Sequence, residues 1–364
     1  MKLKITIISF FIAYIVVVVG CKDDDNLEPE GVKYDSTPYQ LMYGSFPAPN
    51  IATDNQLTNQ GVQLGRMLFY EKMLSGDGTQ ACASCHLQEF AFTDTAKFST
   101  GIRGNKGGRQ AMTVFNMAWH ENEFFWDGRA HLLRDQSLLP IKDELEMDET
   151  LENVVSKLSS SQTYKDQFMR AFGSDEITSE KVSLALEQFM SSIISTNSKY
   201  DDFLKDTTVF NESEKRGFKL FTTDYNPFFP DQSGADCQHC HSGLNFENDK
   251  YMNNGLDGDG QFADDGREKA TKNASDKGKF KVTSLRNIAI TAPYMHDGRF
   301  TTLEQVVEHY NSEIKASSTL DPALEQTRDK GLFLTEQDKK DLVAFLKTLT
   351  DKELTTNPAY GSPF

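Results

Sequence analysis

The sequence predicts a mainly α-helical chain built from two related halves, and three observations carry that prediction. Apolar residues recur at helical spacing in Lys181 to Ser195 and in Asp338 to Leu349. Capping-box starts stand at Asn211-x-x-Glu214, Thr302-x-x-Gln305 and Thr335-x-x-Asp338, and no long alternating run argues for a sheet. The third observation is an internal repeat. Gly65-Arg66-Met67-Leu68-Phe69 matches Gly217-Phe218-Lys219-Leu220-Phe221. Trp126-Asp127-Gly128-Arg129 matches His296-Asp297-Gly298-Arg299 at an offset of 170, as Leu133 matches Leu303, and Asn116 matches Asn287 at 171.

Composition narrows the function classes. The 364 residues are 25% charged and 38% hydrophobic, a globular composition with room for two domains. A net charge of −16 excludes nucleic acid as a natural partner, because phosphate binding needs a basic footprint. Residues 1–20 read as a signal peptide: Lys2 and Lys4 precede a short apolar run, Ile5 to Val19, that ends at Gly20-Cys21. Gly20-Cys21 resembles a lipobox, so Cys21 is the expected lipidation site. The expected product is an exported, lipid-anchored protein facing the periplasm or the cell surface; the alternative is an uncleaved anchor. Residues 21–50 read as a tether, 51–205 and 206–352 as the two domains, and 353–364 as a tail, with Lys199 to Val209 as the boundary segment.

Four cysteines form two close pairs, Cys82-Ala83-Ser84-Cys85-His86 and Cys237-Gln238-His239-Cys240-His241. C-x-x-C-H is the attachment signature of c-type haem: two thiols add to the porphyrin and the adjacent His becomes the proximal iron ligand. A zinc ribbon would need the pairs to converge, and a redox disulfide would not need His after both. The expected cofactors are therefore two covalent haems on Cys82, Cys85, Cys237 and Cys240, with His86 and His241 as axial ligands. The expected architecture is two cytochrome c-like haem domains related by duplication.

The opposite face of each iron decides function, because a six-coordinate haem carries electrons and an open one binds oxygen species. Candidate ligands are Met295, His296, His309 and Tyr310 in the second half, and His120, His131 and Met147 in the first. Tyr310 moved back by 170 falls on Pro140, which cannot ligate iron. One haem closed by Tyr310 and one open above His86 follow if the halves share geometry; His309 or Met295 stays open as an alternative to Tyr310. His120, His131 and His239 read as uninvolved. Asp257 to Glu268 reads as an ordinary acidic loop and Lys277 to Lys281 as a solvated edge.

Long ordered motifs then carry a resemblance. LGRMLFYEKMLS, CASCH, AFTD, FFWDGRA, LEM, CQHCH and SLRNIAITAPYMHDGRFTTLEQVVEHY resemble the bacterial dihaem cytochrome c peroxidases, a family that includes MauG-type enzymes. The resemblance implies Trp126 as an electron bridge between haems. It implies Glu146 as the distal acid, with Phe125 and Pro140 beside it, and an axial Tyr at Tyr310 as in MauG-type members. Thr291 and Pro293 match carbonyl donors to a calcium ion, while Gln110 stands where an Asn is usual. Many members cap the peroxidatic haem with a loop His; here Ser99 to Gly104 carries Arg103 instead, so no reductive activation is expected. Composition alone would leave Glu146 a surface acid and Trp126 a core residue.

The implied activity is reduction of hydrogen peroxide to water with electrons from a small donor such as a cytochrome c. MauG-like oxidation of a protein or small molecule is one alternative, and a non-catalytic dihaem electron carrier is another. Family members are often homodimers.

Overall fold

The computed structural model describes residues 31–364, so the expected signal peptide and the lipidation site Cys21 lie outside the described residues. Among the described residues eleven α-helices account for most regular structure: α1 (Asn59–Tyr70), α2 (Leu133–Lys142), α3 (Leu151–Ser159), α4 (Gln162–Phe172), α5 (Ser179–Ser192), α6 (Lys199–Leu204), α7 (Glu212–Thr222), α8 (Glu268–Thr271), α9 (Leu303–Ser312), α10 (Pro322–Lys330) and α11 (Glu336–Lys347). Among the described residues one sheet occurs, an antiparallel pair of two-residue strands, β1 (Tyr251–Met252) and β2 (Phe280–Lys281). The three expected capping boxes form at the starts of α7, α9 and α11.

The repeat acquires a physical meaning. In the first half α1 crosses α5, and a Cβ on Gly65 would stand 1.9 Å from the Ala185 carbonyl oxygen. In the second half α7 crosses α11, and a Cβ on Gly217 would stand 1.9 Å from the Asp341 carbonyl oxygen. Each glycine therefore permits the same close crossing, and Phe69 or Phe221, four residues on, fills the core beneath it. Two apolar clusters result, one around Phe69, Phe115, Phe168 and Phe189, the other around Phe210, Phe221 and Phe345.

Asn116 and Asn287 make equivalent corners. Both are fully buried and left-handed, at φ 54° and 61°, a region that Asn tolerates better than most residues. The Asn116 side-chain oxygen accepts the Ser195 N–H at 2.8 Å, and the Asn287 oxygen accepts the Asp351 N–H at 2.8 Å. Their amides converge on one residue: Asn116 donates to the Ser195 carbonyl and Asn287 to the Ser195 hydroxyl. The two halves are joined there.

Three segments differ from expectation. Residues 33–50 do not behave as a free tether, because Phe46 is buried against Trp119 and the Trp119 indole donates to the Pro47 carbonyl. Residues 353–364 are no loose tail either. Leu354 and Tyr360 enter the first core, and Arg66 donates to the Pro358 and Gly361 carbonyls. The boundary segment contains α6, capped by a Ser198-x-x-Asp201 box that sequence reading missed.

Asp201 is the reason that segment is ordered. Its carboxylate takes a two-point ion pair from Arg286 at 2.7 and 2.8 Å, with both side chains essentially without solvent exposure. Burial pushes the Asp201 carboxyl up, but Arg286 and Ser198 more than reverse this and hold it below the usual carboxylate range. Removing one partner of such a pair leaves a buried charge uncompensated, at a cost of about 3–5 kcal/mol. Arg286→Met is therefore expected to lower the denaturant midpoint of the holoprotein markedly; an unchanged midpoint would mean that solvent reaches Asp201.

Candidate active site

The two C-x-x-C-H segments fold as matched turns. Short 3-10 turns, Cys82–Ser84 and Cys237–His239, bring the following His back onto the first cysteine: His86 N–H reaches the Cys82 carbonyl at 3.0 Å, and His241 N–H the Cys237 carbonyl at 2.9 Å. None of the four cysteines is in a disulfide. His86 Nδ1 lies 2.9 Å from the Phe92 carbonyl oxygen and His241 Nδ1 lies 3.1 Å from that of Phe246. A carbonyl only accepts, so Nδ1 carries the proton and Nε2 keeps its lone pair. Burial depresses both imidazoles, His241 to about 4, which keeps the rings neutral as metal binding requires.

Each His faces a cavity. His241, Cys237 and Cys240 line one of about 220 Å³, mostly apolar. His86 and Cys85 line a cleft of about 590 Å³, with Cys82 on a smaller adjoining space. Two thiols, a neutral imidazole nitrogen and an apolar slot are the donor set of covalent haem, and it is present twice. The residues fit the cofactor.

The walls opposite the histidines differ. Pro140 and Tyr310 each lie seven residues after the first residue of α2 and α9, and each lines its half's cavity. Burial pushes the Tyr310 phenol up to about 12, against a hydrogen bond from Asn254 that pulls it down. The Asn254 amide stands 3.3 Å from the Tyr310 oxygen and 3.4 Å from the Met295 sulfur. Tyr310 and Met295 thus share one cavity, whereas His309 bonds the Asn254 carbonyl and is not among the lining residues. In the first half His131 is exposed, Met147 borders the small space, and His120 turns Nδ1 toward Glu247 and Asp249.

Glu146 lines the cleft beside His86, Phe125 and Pro140, and no hydrogen bond reaches its carboxylate among the described residues. Burial raises the Glu146 carboxyl above its ordinary range; Asp143 adds to this, and Arg129 opposes it. Arg129 sits 3.5 Å above the Phe125 ring. The Ser99 to Gly104 loop positions the acid from behind: Ile102 N–H donates to the Glu146 carbonyl at 2.9 Å. Arg103 points away from the cleft, pairing with Asp148.

Trp126 lines both cavities. Its indole donates to the Gln110 carbonyl at 2.8 Å, and its ring meets His296 edge-on at 6.5 Å. His296 in turn stacks on Phe280 at 3.6 Å. In the expected calcium set, the bonds formed use the Gln110 amide nitrogen and the Thr291 hydroxyl and leave the Gln110 side-chain oxygen and the Thr291 carbonyl out. The Gln110 amide donates to Thr93 and Asp94, the Thr291 hydroxyl donates to the Ile288 carbonyl, and Pro293 follows a cis peptide. Calcium rests on the resemblance alone.

Similarity to known proteins agrees with this geometry. Residues 59–209 match the model of the family described as di-haem cytochrome c peroxidase. The chain is 32% identical over 306 residues to a methylamine utilization protein MauG of Methylophilus methylotrophus, covering 84% of this chain and 86% of that one. The chain belongs to the di-haem cytochrome c peroxidase family. A cytochrome c551 peroxidase of Nitrosomonas europaea is 33% identical, with 79% of each chain covered. Among solved structures, a MauG-like protein associated with microbial copper homeostasis superposes with a TM-score of 0.78 at 33% identity, covering 87% of this chain and 97% of that one.

Sequence reading missed Asn254, Asp143, Arg129 and Lys281 as neighbours of these sites. Arg129 alone had a signal, its place in the repeated Asp-Gly-Arg turn. Lys281, expected on a solvated edge, is buried and lines both cavities. Behind Glu146, a Cβ on Gly101 would stand 2.1 Å from the Leu145 carbonyl oxygen, a clash with backbone that cannot rotate away. Gly101→Ala is expected to lower stability by about 1–3 kcal/mol, as overpacking does. An unaltered thermal midpoint would show that the loop is not pressed against the Glu146 segment.

Proposed function

We propose that this dihaem enzyme reduces hydrogen peroxide to water with electrons from a small redox protein such as a cytochrome c. The observation that carries the reading is the unbonded Glu146 carboxylate in the cleft of His86, opposite a proline and not a ligand. When bound at Cys82, Cys85 and His86, haem supplies an iron that takes up peroxide and exchanges electrons with it. The chain's residues handle protons and access. Overall, H2O2 takes up two electrons and two protons and gives two waters. Glu146, with no bond to its carboxylate, is placed to accept a proton from one peroxide oxygen and to return it to the other. Its raised pKa makes it a better base than an exposed glutamate, and Phe125 and Pro140 narrow the water around it.

Trp126, bordering both cavities, is the bridge for electrons from the second half. The −16 charge favours a basic donor and makes turnover salt-sensitive. Tyr310 supports a second reading, MauG-like oxidation of a protein or small molecule. Its buried phenol becomes an anionic ligand only beside a cation, and an anionic ligand favours higher oxidation states. Residues 1–21 add the reading that the enzyme is exported and lipid-anchored at Cys21.

Glu146→Gln is expected to lower steady-state peroxide consumption by about 10²-fold or more with reduced cytochrome c as donor. Unchanged turnover would remove Glu146 from the proton path. The base must be ionised, so kcat/KM falls on the acid side through a pKa above the glutamate reference of about 4.3. Asp143→Asn removes a like charge, and the acid limb should then move to lower pH; a fixed limb would assign it to another group.

A further inference from the structure

At the margin of the His86 cleft, His120 meets two acids from a distant segment, Glu247 and Asp249, neither of which lines a haem cavity. We infer that they form a divalent metal site of the zinc class, tying the Trp126 segment to the loop that holds His241. His120 and Glu247 have side chains only 6% and 9% exposed, and Asp249 18%. His120 Nδ1 stands 3.3 Å from Asp249 Oδ1 and 3.8 Å from Glu247 Oε1. Yet His120 Nδ1 is buried without a hydrogen-bond partner, and Asp249 Oδ1 beside it is met only by the Lys281 ammonium. Buried polar atoms are nearly always satisfied, so an unbonded imidazole nitrogen facing two carboxylates needs an explanation.

A cation supplies it. In the Nε2–H tautomer, His120 Nδ1 presents a lone pair, as do both carboxylate oxygens, and three such atoms satisfy one metal ion but not one another. Tetrahedral bonds of about 2.0–2.2 Å place ligand atoms about 3.3–3.6 Å apart; the His120–Asp249 separation of 3.3 Å already fits, and the others, all within 4.8 Å, need a small inward movement. The donor set of one imidazole and two carboxylates suits zinc or a similar first-row ion; calcium takes six to eight oxygens. Lys281 Nζ, 3.2 Å from Asp249 Oδ1, balances one of the two negative charges, so the protein leaves the site at net −1.

Outer bonds hold the ligands in place. Asp249 Oδ2 accepts the Glu121 N–H at 3.1 Å, Asn122 donates to the Asp249 carbonyl at 2.8 Å, and Glu247 accepts from the Asn245 amide. The His120 ring packs at 4.9 Å on Phe124, two residues before Trp126. On the other side, Glu247 directly follows Phe246, whose carbonyl fixes His241. The ion would brace these two segments. It takes no part in the peroxide reaction, and the inference stands whether or not that reading does.

The test uses the haem-loaded protein, stripped with a chelator, exposed to zinc chloride with excess calcium and magnesium, then dialysed. Elemental analysis counts zinc against haem iron. The expected result is one zinc per two irons in the wild type and loss of that equivalent in His120→Ala. Glu247→Gln, nearly isosteric, serves if His120→Ala does not fold, and should weaken zinc binding tenfold or more. Zinc should also raise the thermal midpoint of the wild type and leave that of either variant unmoved. No retained zinc in the wild type, or equal retention in the folded variants, overturns the site.

Discussion

The hydrogen bond from a proximal imidazole Nδ1 to a backbone carbonyl is the constraint on which this structure depends. His86 makes it to Phe92 and His241 to Phe246. It fixes the tautomer, leaves Nε2 with its lone pair on a ring that lines the cavity, and holds that ring neutral where burial already disfavours charge. The residues that share each cavity are read relative to that ring. Pro140 and Glu146 matter because they lie in the cleft of His86, and Tyr310 because it lies in the slot of His241.

The two halves share a frame and differ in their chemistry. Gly65 and Gly217 allow equally close helix crossings, and Asn116 and Asn287 turn equivalent corners that meet at Ser195. Phe125 and Met295, at corresponding places before the two Asp-Gly-Arg turns, both adopt positive φ. On this common frame a few positions change: Pro140 for Tyr310, Phe125 for Met295, Trp126 for His296. A duplicated fold thus yields one larger, more polar cleft and one smaller, more apolar slot, with Trp126 bordering both.

Much of this was legible in the sequence because it is local. C-x-x-C-H, the capping boxes and the repeat each depend on neighbours within a few residues, and the offset of 170 predicted the Pro140–Tyr310 pairing that α2 and α9 display. What was missed depends on distant partners. The chain after residue 352 reads as a polar tail, and only Arg66 and the first core reveal that Tyr360 belongs inside. Lys281 looks solvated until Asp249 and the Glu123 carbonyl are seen around it. Likewise His120 carries no motif; its meaning comes from Glu247 and Asp249, more than a hundred residues away. Residues 33–50 pack for the same reason, through Phe46 and Trp119.

The central claim is that one haem iron has a free coordination position at rest and the other does not. Electron paramagnetic resonance of the oxidised holoprotein, wild type beside Tyr310→Phe, tests it most directly. The wild type should show one high-spin and one low-spin ferric signal in equal amounts, and the variant should lose or shift the low-spin signal alone. Two low-spin signals and no high-spin one in the wild type would contradict the account and make the molecule an electron carrier.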